Sequence, residues 1–213
     1  MNKNSHFTGG GLEIEDLSQE LALEVPEGAI LPPYIDSKPF CIPASDQGNH
    51  PYCAAAAWVG YIEVHNYRKT HRYEQIPFKP VYDRAKERDG NNHHGTTLTS
   101  AYLACVDLGL IELFPFEVIT TREQLHYGLL THDVVVVGYQ ITDKWNHVDS
   151  ETGWIEKGKG VDLGGHAVLS CYYDLLCDGW QNSWGNWGCA GNGRMDVEQF
   201  KDQFIYGVVL KCE

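Results

Sequence analysis

The chain has 213 residues, of which 43% are hydrophobic and 21% are charged, and its formal net charge is −13. This composition is that of a globular protein with one domain or two closely packed lobes, and it excludes a wholly disordered or fibrous chain. The acidic excess and the lack of a Lys/Arg run argue against binding to nucleic acid or to an anionic membrane. No apolar segment is long enough for a transmembrane helix.

The N-terminus lacks the apolar stretch of a secretory signal, so we expect a cytoplasmic protein or one exported without a recognisable signal peptide. The seven cysteines are an odd number, which leaves at least one thiol unpaired within a monomer. No two of them have the CxxC spacing of a zinc ribbon, and the His93-His94 pair has no acidic or cysteine partner at helical spacing. We therefore expect no metal and no other cofactor.

Residues 1–30 form a predicted N-terminal extension that precedes a domain over residues 31–213. It contains a glycine run at Gly9-Gly10-Gly11, which is followed by an acidic stretch with spaced leucines. Leu17 and Leu21 stand four residues apart, a spacing compatible with a short helix. The extension is either a loosely ordered terminus or a small pro-segment or flap that covers a site.

Three helices are predicted in the first two thirds of the chain. The first begins at Cys53, runs through an alanine-rich segment and reaches about Tyr67. Thr96 or Thr97 caps a second helix that Gly109 ends. Thr121, followed by a Glu-Gln pair, opens a third.

Three strands are predicted in the second half, over Val134–Tyr139, His166–Tyr173 and Gly207–Lys211, because these segments are rich in β-branched and aromatic residues. The helix-rich first half and the strand-rich second half indicate an α+β protein with two lobes and a cleft between them.

Cys53 is a candidate nucleophile in the segment DQGNHPYC. A thiol in the first turn of a helix lies near exposed N–H groups, which favour the thiolate and predict a lowered pKa. Gln47 stands six residues earlier, where its side-chain amide could join the Cys53 N–H in a two-donor oxyanion hole. Taken alone, a cysteine at a helix start is more often structural, and a Gln before a Gly is more often a turn residue.

His166 and Asn182 are candidate partners of this thiol. His166 opens a predicted strand directly after Gly164 and Gly165, and Asn182 lies between two tryptophans in the segment GWQNSWG. An amide oxygen can accept a hydrogen bond from one imidazole nitrogen and leave the other nitrogen facing the thiol. Each piece alone would suit an ordinary histidine or a packed aromatic turn.

The combination and order of DQGxxxxC, GGHAV and NSWG resemble the papain-like cysteine peptidases, in a bacterial or phage-type form. The resemblance covers about residues 31–212. It implies a papain-like two-lobe fold, with a helical N-terminal lobe, an antiparallel β-barrel-like C-terminal lobe and the active-site cleft between them.

The resemblance also implies roles for individual residues. Cys53 would be the nucleophile, His166 its base, Asn182 the residue that orients the imidazole, and Gln47 the second oxyanion donor. The substrate would be a polypeptide, bound in part by Gly165, by Gly95 in the segment Gly90 to Gly95, and by Trp184, which would pack over the imidazole.

Two departures from the family pattern concern the nucleophile. Tyr52 and Ala54 replace the usual small residue and tryptophan on either side of Cys53, and His50 stands where secreted members carry a disulfide cysteine. The second change fits a reducing compartment. Two other functions stay open beside peptide hydrolysis: a Cys-dependent acyl transferase or deamidase, and a papain-fold binding module with little activity.

Overall fold

The computed structural model describes residues 10–211, so the first nine residues of the predicted extension and Cys212 lie outside the described residues. The helices are α1 (Cys53–Thr70), α2 (Phe78–Asp89), α3 (Leu98–Asp107), α4 (Arg122–His132) and α5 (Val197–Gln203). The strands are β1 (Ile35–Asp36), β2 (Phe116–Ile119), β3 (Val135–Thr142), β4 (Asp162–Tyr173), β5 (Cys177–Gln181), β6 (Asn192–Asp196) and β7 (Phe204–Leu210). No helix in this part of the chain is both long and apolar enough to cross a membrane.

The three predicted helices are confirmed as α1, α3 and α4. The alanines that follow Cys53 propagate α1, which ends where His71 takes a left-handed conformation at φ 55°. Thr97 caps α3 by accepting a hydrogen bond from the Ser100 N–H. Thr121 opens α4 with a complete capping box, in which the Gln124 side chain returns to the backbone of the cap.

The three predicted strands are confirmed as parts of β3, β4 and β7 in one antiparallel sheet of seven strands. The strand order is β2-β7-β3-β4-β5-β6, and β1 pairs with β4. The sheet does not close on itself, since β2 and β6 are its two ends, so the expectation of a barrel-like lobe is corrected to an open sheet. The α+β assignment, with helices first and strands later, is confirmed.

Two hydrophobic clusters flank the sheet. The first joins α1 and α3 to one face, and α1 is buried along most of its length around Trp58. The second is rich in aromatic rings and contains Trp145, Trp180 and Trp184. Cys53 belongs to the first cluster, whereas His166 contacts two tryptophans of the second, so the candidate site lies where the two clusters meet.

The described part of the N-terminal extension forms no helix, so the helix suggested by Leu17 and Leu21 is wrong. A turn closes there instead, with the Glu20 N–H donating to the Leu17 carbonyl at 3.0 Å. A helix this short has few internal hydrogen bonds to offset its nucleation. The chain gains backbone bonds to β2 instead, because Val118 donates to the Leu21 carbonyl at 2.7 Å and accepts from the Leu23 N–H at 2.8 Å.

Candidate active site

Cys53 is the first residue of α1 and is fully buried. Its thiol lies within hydrogen-bonding reach of the backbone of Ala167, the residue that follows His166 on β4. Burial raises the pKa of the Cys53 thiol to about 11, against the smaller lowering effect of nearby backbone groups. The predicted lowering of this pKa is therefore wrong for the structure as it stands, since loss of solvent outweighs the helix N-terminus.

His166 and Asn182 are joined by a hydrogen bond of 2.9 Å between Nε2 and Oδ1. The same Oδ1 accepts the Ser183 N–H at 2.8 Å, which fixes the orientation of the amide. The imidazole must therefore donate from Nε2, and Nδ1 of the neutral ring is left as an acceptor. Burial lowers the pKa of His166 to about 4, although its bond to Asn182 acts in the opposite direction.

Two tryptophans enclose the His166 ring. Trp184 packs on it with ring centroids 4.6 Å apart, and Trp145 meets it edge-on at 5.8 Å. Both indoles are almost completely buried, and Trp184 is 1% exposed, so in this structure it packs against His166 and neighbouring tryptophans and presents almost no surface to a substrate. Trp145 comes from a short 3-10 segment and was not identified from the sequence, because nothing in DKWNH resembles a site motif.

Gln47 is buried in a turn that pairs with the segment after β5. Its backbone N–H donates to the Ser183 carbonyl at 2.8 Å, and its Oε1 accepts from the Ser183 hydroxyl. Its Nε2 donates to the His50 carbonyl at 2.6 Å, which uses one of two amide hydrogens and leaves the second as a donor. Pairing of DQG with NSWG therefore brings Gln47 and Asn182 to one side of the molecule.

A segment of the N-terminal extension lies across this site; we call residues Gly10 to Glu15 the strap. The Leu12 N–H donates to the Gly165 carbonyl at 3.1 Å on one side. On the other side Thr96 accepts from the Glu13 N–H at 3.0 Å and donates to the Gly11 carbonyl at 3.2 Å. The strap thus occupies the space between Gly165 and the chain just after Gly95, two residues that the sequence assigned to substrate binding.

Glycines allow the close approach of the strap to the site. A methyl group built on Gly11 would lie 3.0 Å from the Cys53 sulfur, and one on Gly10 would lie 2.8 Å from the Gly165 nitrogen. A methyl group on Gly95 would lie 2.8 Å from the Gly11 carbonyl oxygen. Contacts this short leave little room for a side chain at any of these three positions, which accounts for Gly10 and Gly11 at the start of the strap.

Side chains of the strap add contacts on both sides. Leu12 is 5% exposed and packs over Gly138 of β3, where a methyl group would lie 2.7 Å from its Cδ2. Glu13 Oε1 lies 3.6 Å from Lys86 Nζ. Glu15 accepts the Thr99 N–H at 3.0 Å in the first turn of α3, where a carboxylate is favoured.

The described residues contain no group of three or more His, Cys, Asp or Glu side chains arranged to hold a metal ion. The side chains that the candidate site gathers are a thiol, an imidazole and two amides. The strap covers this site, and burial favours the neutral forms of the Cys53 thiol and the His166 imidazole.

No family sequence profile and no curated protein sequence matches the chain significantly. Solved structures do match. Xylellain, a cysteine protease from Xylella fastidiosa, has a TM-score of 0.81 and 19% identity, covering 100% of this chain and 99% of that chain. ProCathepsin B S9 from Trypanosoma congolense has a TM-score of 0.74 and 14% identity, covering 97% of this chain and 87% of that one. Digestive procathepsin L 3 of the Tenebrio molitor larval midgut has a TM-score of 0.70 and 17% identity, covering 91% and 73%. The chain therefore has the fold of the papain-like cysteine proteases.

Proposed function

We propose that the chain is a cysteine peptidase that hydrolyses peptide bonds through Cys53, His166, Asn182 and Gln47. The observation that carries the proposal is the hydrogen bond from His166 Nε2 to Asn182 Oδ1. It leaves Nδ1 as the acceptor on the residue next to Ala167, whose backbone the buried Cys53 thiol reaches. The cysteine proteases among the similar structures support it at the level of the fold.

In the first step, Cys53 gives its proton to His166 Nδ1 and the thiolate attacks the carbonyl carbon of the scissile bond. The carbonyl oxygen becomes an oxyanion, which the Cys53 N–H and the second hydrogen of Gln47 Nε2 stabilise. The C–N bond then breaks as the imidazolium protonates the leaving amine, and an acyl thioester remains on Cys53.

In the second step, a water molecule attacks the thioester. His166 accepts a proton from this water, and the thiol is regenerated as the acid product leaves. Throughout, Asn182 holds the imidazole through Nε2, and Trp184 keeps water from that hydrogen bond. A neutral amide in this position orients the ring without competing for the proton.

The strap is the second part of the proposal: it acts as a pro-segment or flap that must leave before a substrate can bind. Its backbone hydrogen bonds to Gly165 and Thr96 are those an extended peptide would need, and Gly11 sits against the nucleophile. Two of the similar structures are proenzymes by name. Water that enters after the strap leaves should lower the pKa of the thiol and raise that of His166.

Cleavage of a proteome-derived peptide library tests the proposal, with Cys53→Ala as the matched control. We expect cleaved products from the native chain after the strap is displaced or removed, and none from Cys53→Ala at unchanged thermal stability. Products altered by deamidation or ligation would favour an acyl transferase or deamidase instead. Binding without turnover would favour a binding module.

A further inference from the structure

The chain between α2 and α3 forms one border of the cleft; we call residues Asp89 to Thr96 the rim. Apart from its first residue and an isolated bridge from Thr96 to Leu12, the rim contains no helix or strand. Thr96 nevertheless makes the two backbone-to-backbone hydrogen bonds that hold the strap on this side. Something other than secondary structure must therefore fix the orientation of these groups.

Two side chains of α2 hold consecutive carbonyl groups of the rim. The Tyr82 hydroxyl donates to the His94 carbonyl at 2.6 Å. Lys86 Nζ donates to the Gly95 carbonyl at 2.7 Å. Tyr82 and Lys86 stand four residues apart on one helix, so they project from the same face and reach neighbouring peptide units.

Lys86 is bound at all three of its ammonium hydrogens. Besides the Gly95 carbonyl, it donates to Asn91 Oδ1 at 2.8 Å and to Asp89 Oδ2 at 3.0 Å. Its side chain is 16% exposed and that of Asp89 is 4% exposed, so this is not a freely solvated surface pair. The ammonium group has no spare donor and holds the rim at three points.

The planarity of the peptide bond connects this anchoring to the cleft. The Gly95 carbonyl and the Thr96 N–H belong to one planar unit and point in opposite directions. A hydrogen bond from Lys86 to the Gly95 oxygen therefore directs the Thr96 N–H away from α2 and toward the strap. Without that bond the peptide group between Gly95 and Thr96 could rotate easily, because Gly95 has no side chain to restrict its dihedral angles.

We propose that Tyr82 and Lys86 are positioning residues for peptide binding: they fix the backbone of the rim so that Thr96 can pair with an extended chain in the cleft. The inference rests on the proposed peptidase function, since the strap stands here for the peptide that would replace it. Neither side chain touches the reacting atoms, so both act through the orientation of the rim.

Hydrogen exchange in the full chain tests the inference without requiring activity. The probes are the backbone amides of Thr96 and Glu13. The Thr96 N–H donates to the Gly11 carbonyl, and the Glu13 N–H donates to the Thr96 carbonyl. We expect Tyr82→Phe, which keeps the ring that packs on Tyr52, to speed exchange at both amides roughly 3–10-fold, the effect of losing one hydrogen bond. Lys86→Met should speed it at least as much.

Lys79→Met is the matched control, because Lys79 lies on the same helix but pairs only with exposed Asp83. It should leave both amides unchanged. If Lys86→Met unfolds the chain by leaving Asp89 without a cation, Tyr82→Phe still decides the outcome. Unchanged exchange at Thr96 in a folded Tyr82→Phe protein would overturn the inference.

Peptide kinetics then separate positioning from general loss of structure, in a Leu12→Ser background that weakens the strap. Tyr82→Phe should raise KM roughly 3–10-fold and change kcat less than about twofold. A fall in kcat at constant KM would overturn the inference. If the Leu12→Ser parent has no peptidase activity, the proposed function fails, and the exchange experiment alone decides on the rim.

Discussion

The two sides of the cleft are held by different means. On the sheet side, His166 lies within β4, which pairs with β3 and β5, and the Asn182 N–H is bonded to the Gly191 carbonyl. On the helical side, Cys53 and the rim depend on a helix start, a turn and single side chains such as Lys86. Backbone pairing fixes the strand that carries His166, whereas side-chain contacts set the surroundings of Cys53 and hold the rim.

The largest effect should come from the turn that carries Gln47. Gln47→Ala removes the proposed oxyanion donor on the helical side, and we expect kcat to fall by roughly 10² to 10³. Steady-state kinetics with a cleaved peptide measure it. Because Gln47 also bonds to Ser183 and His50, thermal unfolding must show that the fold is retained. A normal kcat would remove Gln47 from the mechanism.

The strap joins the two sides and provides the next test. Leu12→Ser removes a buried apolar side chain worth about 1.5–3 kcal/mol, so strap opening should increase by roughly 10–100-fold. The rate at which a small haloacetamide modifies Cys53 reports this opening. Leu21→Ser is the matched control, since Leu21 belongs to the same extension but is 51% exposed. Equal rates for the two variants would contradict a covering role for the strap.

The pH dependence of strap opening tests both sides of the cleft, because His166 titrates on the sheet side and Cys53 on the helical side. His166 has a pKa of about 4 under the strap, below its ordinary 6.5, so the closed state favours the neutral ring. As pH falls toward 5, the open state, in which more water reaches His166, binds the extra proton more readily than the closed state, so opening should rise between pH 7 and pH 5. The position of the Thr96 amide resonance measures the open fraction.

Cys53 should produce the opposite limb of the same profile. Its thiol has a pKa of about 11 under the strap, above the ordinary 9, so opening should also rise as pH increases above 9. Cys53→Ala should abolish this alkaline limb and keep the acid limb. A profile that is flat from pH 5 to pH 10 would mean that neither group is covered in solution.

The smallest effect should come from the sheet side. Asn182→Ala removes one hydrogen bond to an imidazole that two tryptophans still enclose, and we expect kcat to fall roughly 2–10-fold with activity remaining. Kinetics of Asn182→Ala beside Gln47→Ala give the comparison directly. A larger loss for Asn182→Ala would show that ring packing alone does not hold His166.

Elements with strong local signals were predictable from the sequence. Thr97 and Thr121 cap α3 and α4 by hydrogen bonds within four residues of the chain, so the sequence alone contains that information. The elements α2, α5, β1, β2, β5 and β6 were not identified. The charged α2 contains Pro80 in its first turn, and β5 and β6 contain Gly and Asp and become strands only through pairing with β4 and with each other.

The residues of the candidate site could be named from the motifs and their order in the sequence. Their burial, the pKa of the thiol and the cover by the strap could not. Motif spacing led to the hydrogen-bonded pair of His166 and Asn182. The helix start at Cys53 suggested a lowered thiol pKa, yet the sulfur is buried, with Gly11 of the strap close to it, and burial raises this pKa instead. The contact between Gly11 and Cys53 spans 42 positions of sequence and has no local signature. The part played by α2 in holding the rim depends on tertiary contacts in the same way.

The most direct test of the account is to map the site of covalent modification by an epoxysuccinyl inhibitor of thiol proteases, using mass spectrometry of the digested protein. The account predicts a single adduct on Cys53, formed faster in Leu12→Ser and absent from Cys53→Ala. An adduct on another cysteine, such as Cys189, with Cys53 unmodified after the strap has been displaced, would contradict it.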